Sequence, residues 1–377
     1  MPAPYLVILG CGQVGRALLD MCKAGVYHKD QLVRVLAVFD SEHAVVVNAE
    51  PPFEPNQLDA AVLSEIIDAK QSGKRLGSLA AKPYTCVEPI DKAWGRILTA
   101  SPLPSVVVAD CSASEETQQY LEKALDTGSM GVVLANKKPI SGDQAAFENF
   151  VGFDPYFKWE STVGAGSPFI TTFKRLLSAG DKVKKVAGVF SGTLGYVMTG
   201  LEDGKKLSDV VVEAKKLGFT EPDPRDDLSG IDFSRKALIL ARMMGWKLEM
   251  SDIQLESMVP PEFSSDVMPL EDFMGVGLKA LDSSFDEKVA AAKDKGEVLR
   301  YAATIQDGVC KVGLVTVSKD TPLGRLRGTD NILEIHSNIY SPSPLVIQGA
   351  GAGPDCTALG VLADSLEIFS TMSCTKK

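Results

Sequence analysis

Histidine is scarce in this sequence, and cysteine is scattered. Only three histidines occur among 377 residues, at His28, His43 and His336, far apart along the chain. The seven cysteines are an odd number and form no C-x-x-C pair. A histidine-based metal cluster, a zinc ribbon and a disulfide framework are therefore not expected. Such cysteine usage fits a reducing compartment, so we expect a cytoplasmic protein.

Long apolar runs are also lacking. No stretch approaches the ~20 apolar residues that span a bilayer. The first strand-like run, Tyr5–Leu9, begins almost at once and is too short for a signal peptide. Neither a membrane partner nor a leader is expected. The formal net charge of -10 would repel nucleic acid on average, so DNA and RNA are not expected partners either.

The composition that remains is that of a folded globular protein. Hydrophobic residues make up 45% of the chain and charged residues 23%, which excludes general disorder. At roughly 150 residues per domain, the length predicts about two domains, each with its own core.

Short apolar runs alternate with helical stretches in the first third of the chain. The runs are continuous, which is typical of strands buried on both faces of a parallel sheet. Strand–helix alternation of this kind predicts a doubly wound α/β domain. The predicted strands are Tyr5–Leu9, Val33–Phe39, Val106–Ala109 and Val132–Leu134. Residues 48–55, rich in proline, are predicted to form a loop.

A second domain is predicted after residue 150. The runs Cys310–Val317 and Ile332–Ile339 alternate apolar and polar residues in part, which favours a mostly antiparallel sheet and an α+β domain. Near the end, Leu345–Gln348 is predicted to be a buried strand that returns to the first domain with the glycines and helix that follow it. The predicted domains are therefore residues 1–150 with 342–377, and residues 151–341.

A glycine turn follows the first predicted strand and opens the first predicted helix. Gly10, Gly12 and Gly15, with Gln13 and Val14 between the last two, match G-x-G-x-x-G. The first glycine allows a tight turn, the second lets a pyrophosphate approach the backbone, and the third lets helix and strand pack closely. The pattern predicts a Rossmann-type NAD(P)-binding turn. The alternative is a tight turn without a ligand.

Asp40 ends the second predicted strand of the first domain. An acid at this position can accept hydrogen bonds from the ribose hydroxyls of NAD and would repel the 2′-phosphate of NADP. We therefore expect NAD to be accepted. NADP stays open because a lysine or arginine elsewhere could reach its phosphate, and Asp40 could instead be an ordinary turn residue.

Two later segments place polar groups beside predicted strands or helix starts. Lys137 and Lys138 follow a strand at the end where open α/β sheets bind ligands, although a solvated loop lysine is the alternative. The segment Glu160–Pro168 is rich in glycine and precedes a helix. Its carboxylate and backbone carbonyls could coordinate a hard cation, or the segment could be a plain tight turn.

An acidic loop runs from Gly218 to the helix that contains Lys236. Five acids lie within twelve residues and two prolines stiffen the loop, so that it would suit the ammonium group of a substrate. Asp232 and Lys236 are four residues apart and share one helix face. A lysine beside an aspartate can be positioned to protonate an oxygen. The alternative is a solvated loop with a surface ion pair.

Taken together, these segments resemble homoserine dehydrogenase over nearly the full chain. The segment from Glu221 to Gly230 is the most specific part of the match. The glycine turn, Ala135–Lys137, Glu160–Gly166, Ser191–Tyr196 and Gly349–Gly353 support it. The resemblance implies NAD(P)-dependent interconversion of L-aspartate 4-semialdehyde and L-homoserine, a step toward threonine, methionine and isoleucine.

The resemblance also implies roles for individual residues. Lys236 would be the catalytic proton donor and Lys137 a second essential lysine near the nicotinamide. The implied substrate-binding residues are Gly218, Glu221, Asp227 and Asp232, with Asp226 in the surrounding acidic wall. The implied cofactor contacts outside the glycine turn are Ser112 and Gly353. A monovalent cation, Na⁺ or K⁺, would be held by Glu160, Val163, Ala165 and Ser167.

Further expectations rest on the same resemblance. The family's dimers imply a homodimer, and the short segment after the last predicted helix leads us to expect the form without a regulatory domain or a fused aspartate kinase. Cys111-Ser112 departs from the family's usual Asn-Thr and keeps the hydroxyl without the amide. Two alternatives stay open. An aspartate-semialdehyde dehydrogenase would need a nucleophilic cysteine such as Cys111, and a non-catalytic NAD(P) sensor would be expected to lack a lysine or the acidic loop.

Overall fold

The structure is a computed structural model that describes residues 3–48, 57–82, 84–99, 105–351 and 353–374. The chain forms two compact units, Met1–Gly166 with Gly353–Lys377, and Ser167–Ala352. The loop predicted at residues 48–55 lies, apart from Asn48, outside the described residues.

The first unit contains a seven-stranded sheet whose central strands are apolar and buried. The described strands of the unit, seven in this sheet and two in a separate hairpin, are β1 (Tyr5–Leu9), β2 (Tyr27–His28), β3 (Gln31–Leu32), β4 (Arg34–Phe39), β5 (His43–Val47), β6 (Thr85–Pro89), β7 (Val106–Asp110), β8 (Met130–Leu134) and β9 (Phe157–Lys158). The order in the sheet is β6-β5-β4-β1-β7-β8-β9, and β2 pairs only with β3. Strands β4, β1, β7, β8 and β9 are parallel, whereas at one edge β5 pairs antiparallel with β4 and β6 pairs antiparallel with β5.

Helices connect these strands. They are α1 (Gln13–Ala24), α2 (Ala60–Gln71), α3 (Ile90–Thr99), α4 (Gln118–Asp126), α5 (Lys138–Ser141) and α6 (Gln144–Val151), with 3₁₀ turns at Leu76–Ser78 and Glu160–Thr162. The predicted doubly wound fold is confirmed. Its chain order reverses at β1 and β7, which is the switch point where such sheets bind ligands.

The second unit contains a six-stranded sheet in the order β11-β13-β12-β10-β14-β15. Its strands are β10 (Val183–Val189), β11 (Gln254–Leu255), β12 (Glu297–Gln306), β13 (Val309–Ser318), β14 (Asp330–Ser337) and β15 (Leu345–Ala350). All neighbouring pairs are antiparallel except β11 with β13. The predicted antiparallel α+β unit is therefore confirmed.

The described residues of the second unit contain eight α-helices, one before β10 and seven between strands. They are α7 (Phe169–Ser178), α8 (Gly192–Glu202), α9 (Leu207–Lys216), α10 (Pro224–Leu228), α11 (Ile231–Met243), α12 (Leu270–Asp272), α13 (Leu278–Asp294) and α14 (Pro322–Arg325). Single 3₁₀ turns span Met250–Asp252 and Pro261–Phe263, and a π-helical turn spans Phe273–Gly277.

The prediction for the last strand was wrong. The run Leu345–Gln348 belongs to β15, which pairs antiparallel with β14 at the edge of the second sheet and is only partly buried. A short apolar run does not reveal which sheet it joins, because that depends on hydrogen-bond partners elsewhere in the chain. The following helix, α15 (Pro354–Cys374), does lie in the first unit, where it packs on α1 and β8.

Candidate active site

Four parallel strands of the first unit, β4, β1, β7 and β8, lie side by side, and a predicted cofactor residue follows the carboxyl end of each. Asp40 follows β4, the glycine turn follows β1, Ser112 follows β7 and Lys137 follows β8. The sheet therefore brings these residues to one edge. Gly353 lies directly before α15, and its carbonyl oxygen accepts a hydrogen bond from the Thr357 amide at 3.3 Å.

The three glycines of the turn have different environments. Gly10 has a φ of 88°, and a Cβ there would lie 2.7 Å from Cα of Ser112. A Cβ on Gly15 would lie 2.1 Å from the carbonyl oxygen of Gly10. Around Gly12, by contrast, no described atom outside Gly12 and its two chain neighbours lies within 4 Å of the place of a Cβ. The turn itself therefore requires Gly10 and Gly15, whereas Gly12 borders open space.

The first turn of α1 fits a phosphate group. Gly12 is the N-cap and makes no side-chain cap, and no acidic side chain lies in the first turn. Gln13 is exposed and Val14 is half-buried there. The backbone N–H groups at the start of a helix attract an anion when no side chain satisfies them. The residues present are thus compatible with a dinucleotide at this turn.

Asp40 is held by four donors. Its Oδ1 accepts hydrogen bonds from the amides of Glu42 (3.0 Å) and His43 (2.9 Å), and its Oδ2 from the Leu76 amide (2.8 Å) and Lys70 Nζ (3.3 Å). The side chain is only 4% exposed. Burial alone would raise the pKa of Asp40, but these donors outweigh it and the pKa is lowered. Because a carboxylate has about four acceptor sites, a ribose hydroxyl would have to displace one of them.

Lys137 and Ser112 belong to the connected ends of β7 and β8. Lys137 is the half-buried N-cap residue of α5. The Ser112 hydroxyl accepts hydrogen bonds from the Ser114 amide at 3.2 Å and from Asn136 Nδ2 at 3.3 Å. The link between them runs through Asp110 and Asn136, neither of which was assigned a role from the sequence.

Cys111, the cysteine that an aspartate-semialdehyde dehydrogenase would need as its nucleophile, is buried. Burial, together with the nearby charge of Asp110, raises the pKa of its thiol above the usual range. Reactive cysteines are accessible and have a lowered pKa. The environment of Cys111 therefore disfavours that alternative.

The predicted cation segment lies around the 3₁₀ turn Glu160–Thr162. Glu160 is buried, and its amide donates a hydrogen bond at 2.8 Å to Oδ2 of Asp364 on α15. Burial raises the pKa of Asp364 to about 7, to which the charge of Glu160 contributes while the amide hydrogen bond opposes it. Two carboxyl groups buried near each other are compatible with a cation as counter-charge.

The remaining residues that the resemblance implies for this cation would contribute backbone carbonyls. Val163 is buried, Ala165 has a φ of 56°, and the Ser167 carbonyl oxygen accepts a hydrogen bond from the Phe169 amide at 2.7 Å. No group of three or more His, Cys, Asp or Glu side chains that could hold a metal ion occurs within the described ranges. A cation here would therefore depend on backbone oxygens.

In the second unit, local capping shapes the acidic loop. Pro224 begins α10, and the Asp223 carboxylate accepts a hydrogen bond from the Arg225 amide at 3.0 Å. The buried Arg225 side chain pairs with Asp223 at 2.6 Å and donates to the Met268 carbonyl at 2.6 Å. The loop is thus anchored to the segment before α12.

Asp227 and Glu221 are in contact within this loop. Oδ2 of Asp227 accepts a hydrogen bond from the Glu221 amide at 2.8 Å. Burial raises the pKa of Asp227 to about 6, a shift that the amide hydrogen bond opposes and the charges of Glu221 and Asp232 increase. Asp226 is exposed beside it, and Gly218 is an exposed residue after α9. The structure therefore gathers negative charge around Asp227.

Lys236 lies on α11 and is held by two acceptors. Its Nζ donates to the carbonyl oxygen of Phe190 at 2.7 Å and forms an ion pair with Asp232 at 2.9 Å. The Lys236 side chain is 16% exposed and that of Asp232 is 49% exposed. The predicted contact between these two residues is present. The hydrogen bond to the carbonyl of Phe190, the residue directly after β10, was not predicted. A backbone acceptor has no side-chain pattern that would identify it in the sequence.

The parallel sheet and its glycine turn are typical of the class of NAD(P)-dependent dehydrogenases. A glycine turn lies at the switch point of a parallel sheet in one unit, and an anchored lysine lies beside Asp232 in the other. No helix of the described part of the chain is long and apolar enough to cross a membrane.

Comparison with known proteins gives the family. The homoserine dehydrogenase family model matches residues 168–366. The homoserine dehydrogenase of Emericella nidulans is 33% identical over 394 residues, which cover 99% of this chain and 100% of that protein. The bifunctional aspartokinase/homoserine dehydrogenase of Haemophilus influenzae is 41% identical over 264 residues, 69% of this chain and 32% of that protein. The chain belongs to the homoserine dehydrogenase family.

Solved structures share the fold of this chain. A Candida auris protein of unknown function has a TM-score of 0.83 and 30% identity, with 99% of both chains covered. A hyperthermophilic archaeal homoserine dehydrogenase in complex with NADPH has a TM-score of 0.70 and 22% identity, with 96% of both chains covered, and shows a shared fold. The chain spans about a third of the length of the bifunctional relatives it matches.

Proposed function

We propose that this protein is an NAD(P)-dependent homoserine dehydrogenase that interconverts L-aspartate 4-semialdehyde and L-homoserine. The observation that carries the proposal is the anchored Lys236, whose Nζ lies 2.7 Å from the Phe190 carbonyl and 2.9 Å from Asp232. Family membership over the full length of the Emericella nidulans protein supports it.

Lys236 is suited to give a proton to the aldehyde oxygen. A lysine ammonium has three N–H donors. Among the described residues, the Phe190 carbonyl accepts one of them and Asp232 forms an ion pair with the ammonium, so the group can still donate to a substrate oxygen. In the reverse direction the neutral amine would take the proton of the homoserine hydroxyl. Lys137 would stabilise the negative charge that grows on this oxygen.

The acidic loop is suited to the ammonium group of the amino-acid substrate. Glu221, Asp227 and Asp232 supply the negative charge, and the backbone at Gly218 completes the proposed subsite. The contact between the Glu221 amide and Asp227 fixes two of these residues relative to each other. We expect substrate binding to depend on the ionised form of Asp227.

The first unit is suited to hold the cofactor, which supplies the hydride when bound. The proposed contacts are Gly10, Gly12, Gln13, Val14, Gly15, Ser112, Lys137 and Gly353. The open space around Gly12 and the uncapped start of α1 support a dinucleotide at this edge. The NADPH complex of the archaeal homologue is consistent with it. Because four donors already hold the Asp40 carboxylate, the proposal includes both NAD and NADP as cofactors.

Three further proposals accompany the activity. A monovalent cation would lie near Glu160 and the carbonyls of Val163, Ala165 and Ser167. It would be recognised as activation by NaCl or KCl relative to a tetramethylammonium salt at the same ionic strength.

The homodimer and the cytoplasmic location stay predictions from the sequence. Light scattering of the purified protein measures the first, and cell fractionation the second.

A spectrophotometric assay tests the activity. We expect oxidation of homoserine to reduce NAD or NADP, seen as an increase in absorbance at 340 nm. The reaction should not require phosphate. Phosphate-dependent oxidation of aspartate 4-semialdehyde, without oxidation of homoserine, would contradict the proposal and favour the dehydrogenase that acts on the semialdehyde. Dinucleotide binding without turnover of either substrate would favour a sensor.

A further inference from the structure

Asp110 is a fully buried acid that has no role in the proposed reaction. It is the last residue of β7, in register between Leu9 of β1 and Leu134 of β8. It therefore lies between the turn that begins at Gly10 and the turn that carries Lys137. A carboxyl group is costly to bury unless its acceptors are satisfied.

Asp110 binds the turn after β8 in two ways. Its backbone carbonyl oxygen accepts hydrogen bonds from the amides of Ala135 at 2.9 Å and Asn136 at 3.1 Å. Its carboxylate Oδ2 accepts from Asn136 Nδ2 at 3.0 Å. The same carboxylate accepts from the Ser112 amide at 2.9 Å and from the Thr117 hydroxyl at 2.7 Å. Burial raises the pKa of Asp110, and these donors oppose the shift.

Asn136 carries this restraint past Lys137. Asn136 is buried, and its Oδ1 accepts a hydrogen bond from the Lys138 amide at 3.1 Å. Its Nδ2 also donates to the Ser114 carbonyl at 2.7 Å. The residues on both sides of Lys137 are therefore connected to Asp110, one directly and the other through a single side chain.

We propose that Asp110 is a positioning residue that acts through Asn136 to fix the backbone around Lys137. The proposal rests on the proposed function, because the role of Lys137 in the reaction is part of it. Asp110 would touch neither substrate nor cofactor. Its effect on turnover would come from where it places the Lys137 side chain.

The first test is Asp110→Asn. Asparagine has nearly the same shape, but it replaces one acceptor oxygen with an NH₂ that faces other donors. A misplacement of about 1 Å can cost ~10²-fold in rate, so we expect kcat for homoserine oxidation to fall by about 10–100-fold. The KM for the dinucleotide should change by less than about threefold. In a Lys137→Ala background the same substitution should have almost no further effect on kcat, since residues that act as a unit are not additive.

Glu88→Gln is the matched control. Glu88 is also a buried acid of the same sheet, on β6, where it pairs with Arg96 at 2.7 Å and Lys92 at 3.1 Å. Its replacement should leave kcat within about twofold. If Asp110→Asn does not fold, Asn136→Ala breaks the same connection from the other side and should show the same non-additivity with Lys137→Ala.

Hydrogen exchange at the Lys138 amide gives a readout that does not need activity. We expect exchange to be faster in Asp110→Asn than in Glu88→Gln, because the Asn136 acceptor loses its anchor. Unchanged Lys138 exchange, or an equal loss of kcat with and without Lys137, would overturn the positioning role. Absence of homoserine oxidation in the wild type would instead contradict the proposed function, and the exchange result would still decide the role of Asp110.

Discussion

The two candidate sites of this chain consist of different kinds of groups. In the first unit, the turns after four parallel strands are held by backbone contacts and buried hydrogen bonds, such as the close approach of Gly15 to the Gly10 carbonyl. In the second unit, the acidic loop and Lys236 present charged groups that are half-buried or exposed. The first site therefore depends on shape and the second on charge.

This difference matches the proposed ligands. A dinucleotide has a long backbone with phosphates, which glycine turns and helix N-termini recognise through N–H groups. A small amino acid offers little surface, so its ammonium and oxygen atoms have to be recognised by charge and by proton donors. Apart from Lys137, which would stabilise charge, residues of the first site should therefore respond to substitution through geometry, and those of the second through charge and pH.

Lys236→Ala should give the largest effect. Removal of a general acid–base group typically costs ~10²–10⁴-fold in rate, and kcat for homoserine oxidation should fall by about that factor. The Kd for NADPH, measured by its fluorescence, should be nearly unchanged. Lys205→Ala is the control, because Lys205 forms an exposed ion pair with Glu213 in the same unit. Unchanged turnover in Lys236→Ala would show that Lys236 is not the proton donor.

The glycine turn allows a sharper test of shape. Gly12→Ala adds a methyl group in open space, so we expect a nearly unchanged Tm and a Kd for NADPH about tenfold higher, ~1.4 kcal/mol of binding energy. Gly15→Ala forces a Cβ to 2.1 Å from the Gly10 carbonyl, so it should lower the stability by ~1–3 kcal/mol. Equal effects of both variants on Tm would break the distinction between a glycine required by the turn and one that faces a ligand.

Much of this architecture was predictable from local patterns. Continuous apolar runs gave β1, β7 and β8 nearly as observed, and G-x-G-x-x-G identified a turn whose three glycines have distinct environments. The i,i+4 spacing of Asp232 and Lys236 predicted a contact that the structure contains. These features depend on neighbours in the sequence, which is why the sequence reveals them.

The missed features depend on residues that are distant in the sequence. Asp40 receives Lys70 and the Leu76 amide from more than 29 residues away, and Glu160 meets Asp364 across 204 residues. Strand β5 was also missed, although Ala44–Val47 is an apolar run, because it returns beside β4 as an antiparallel hairpin in a sheet expected to be parallel. Periodicity reports local structure and does not identify such partners.

Asp227 should make the second site sensitive to pH. Its pKa is raised to about 6, so kcat/KM for homoserine should fall as the pH drops through about 6, where the carboxylate is protonated and no longer attracts the ammonium. Asp227→Asn should have a lower kcat/KM that lacks this acidic limb. The Kd for NADPH should show no such dependence, because the first site relies on shape.

The stability of the same variant gives an independent measure of the charge. The folded protein holds the Asp227 proton more tightly than the unfolded chain, in which an aspartate titrates near 3.8. The ionised carboxylate therefore weakens folding above about pH 6, and this cost fades as the pH falls toward 3.8. Asp227→Asn should raise Tm at pH 8 and match the wild type near pH 4. A constant difference across this range would mean that the shift does not come from ionisation.

Asp40 should give the smallest effect on activity. Because four donors hold its carboxylate, we expect Asp40→Asn to cost ~1–3 kcal/mol of stability. Since its pKa is lowered, this stabilisation is present above 3.8 and is lost as the pH falls through the folded value, so the Tm difference should close on acidification. Glu42→Gln, which alters an exposed partner of Arg75, is the control and should hardly change Tm.

The cofactor kinetics of Asp40→Asn decide what its carboxylate does beyond stability. If Asp40 only holds its turn, KM for NADH and KM for NADPH should change by the same factor, within about twofold. A rise in KM for NADH alone would mean that a ribose hydroxyl displaces one of the four donors and that charge also selects the ligand of the first site. Asp40 would then be a residue of the first site that recognises its ligand by charge. The glycine turn of the same site would still recognise the dinucleotide by shape.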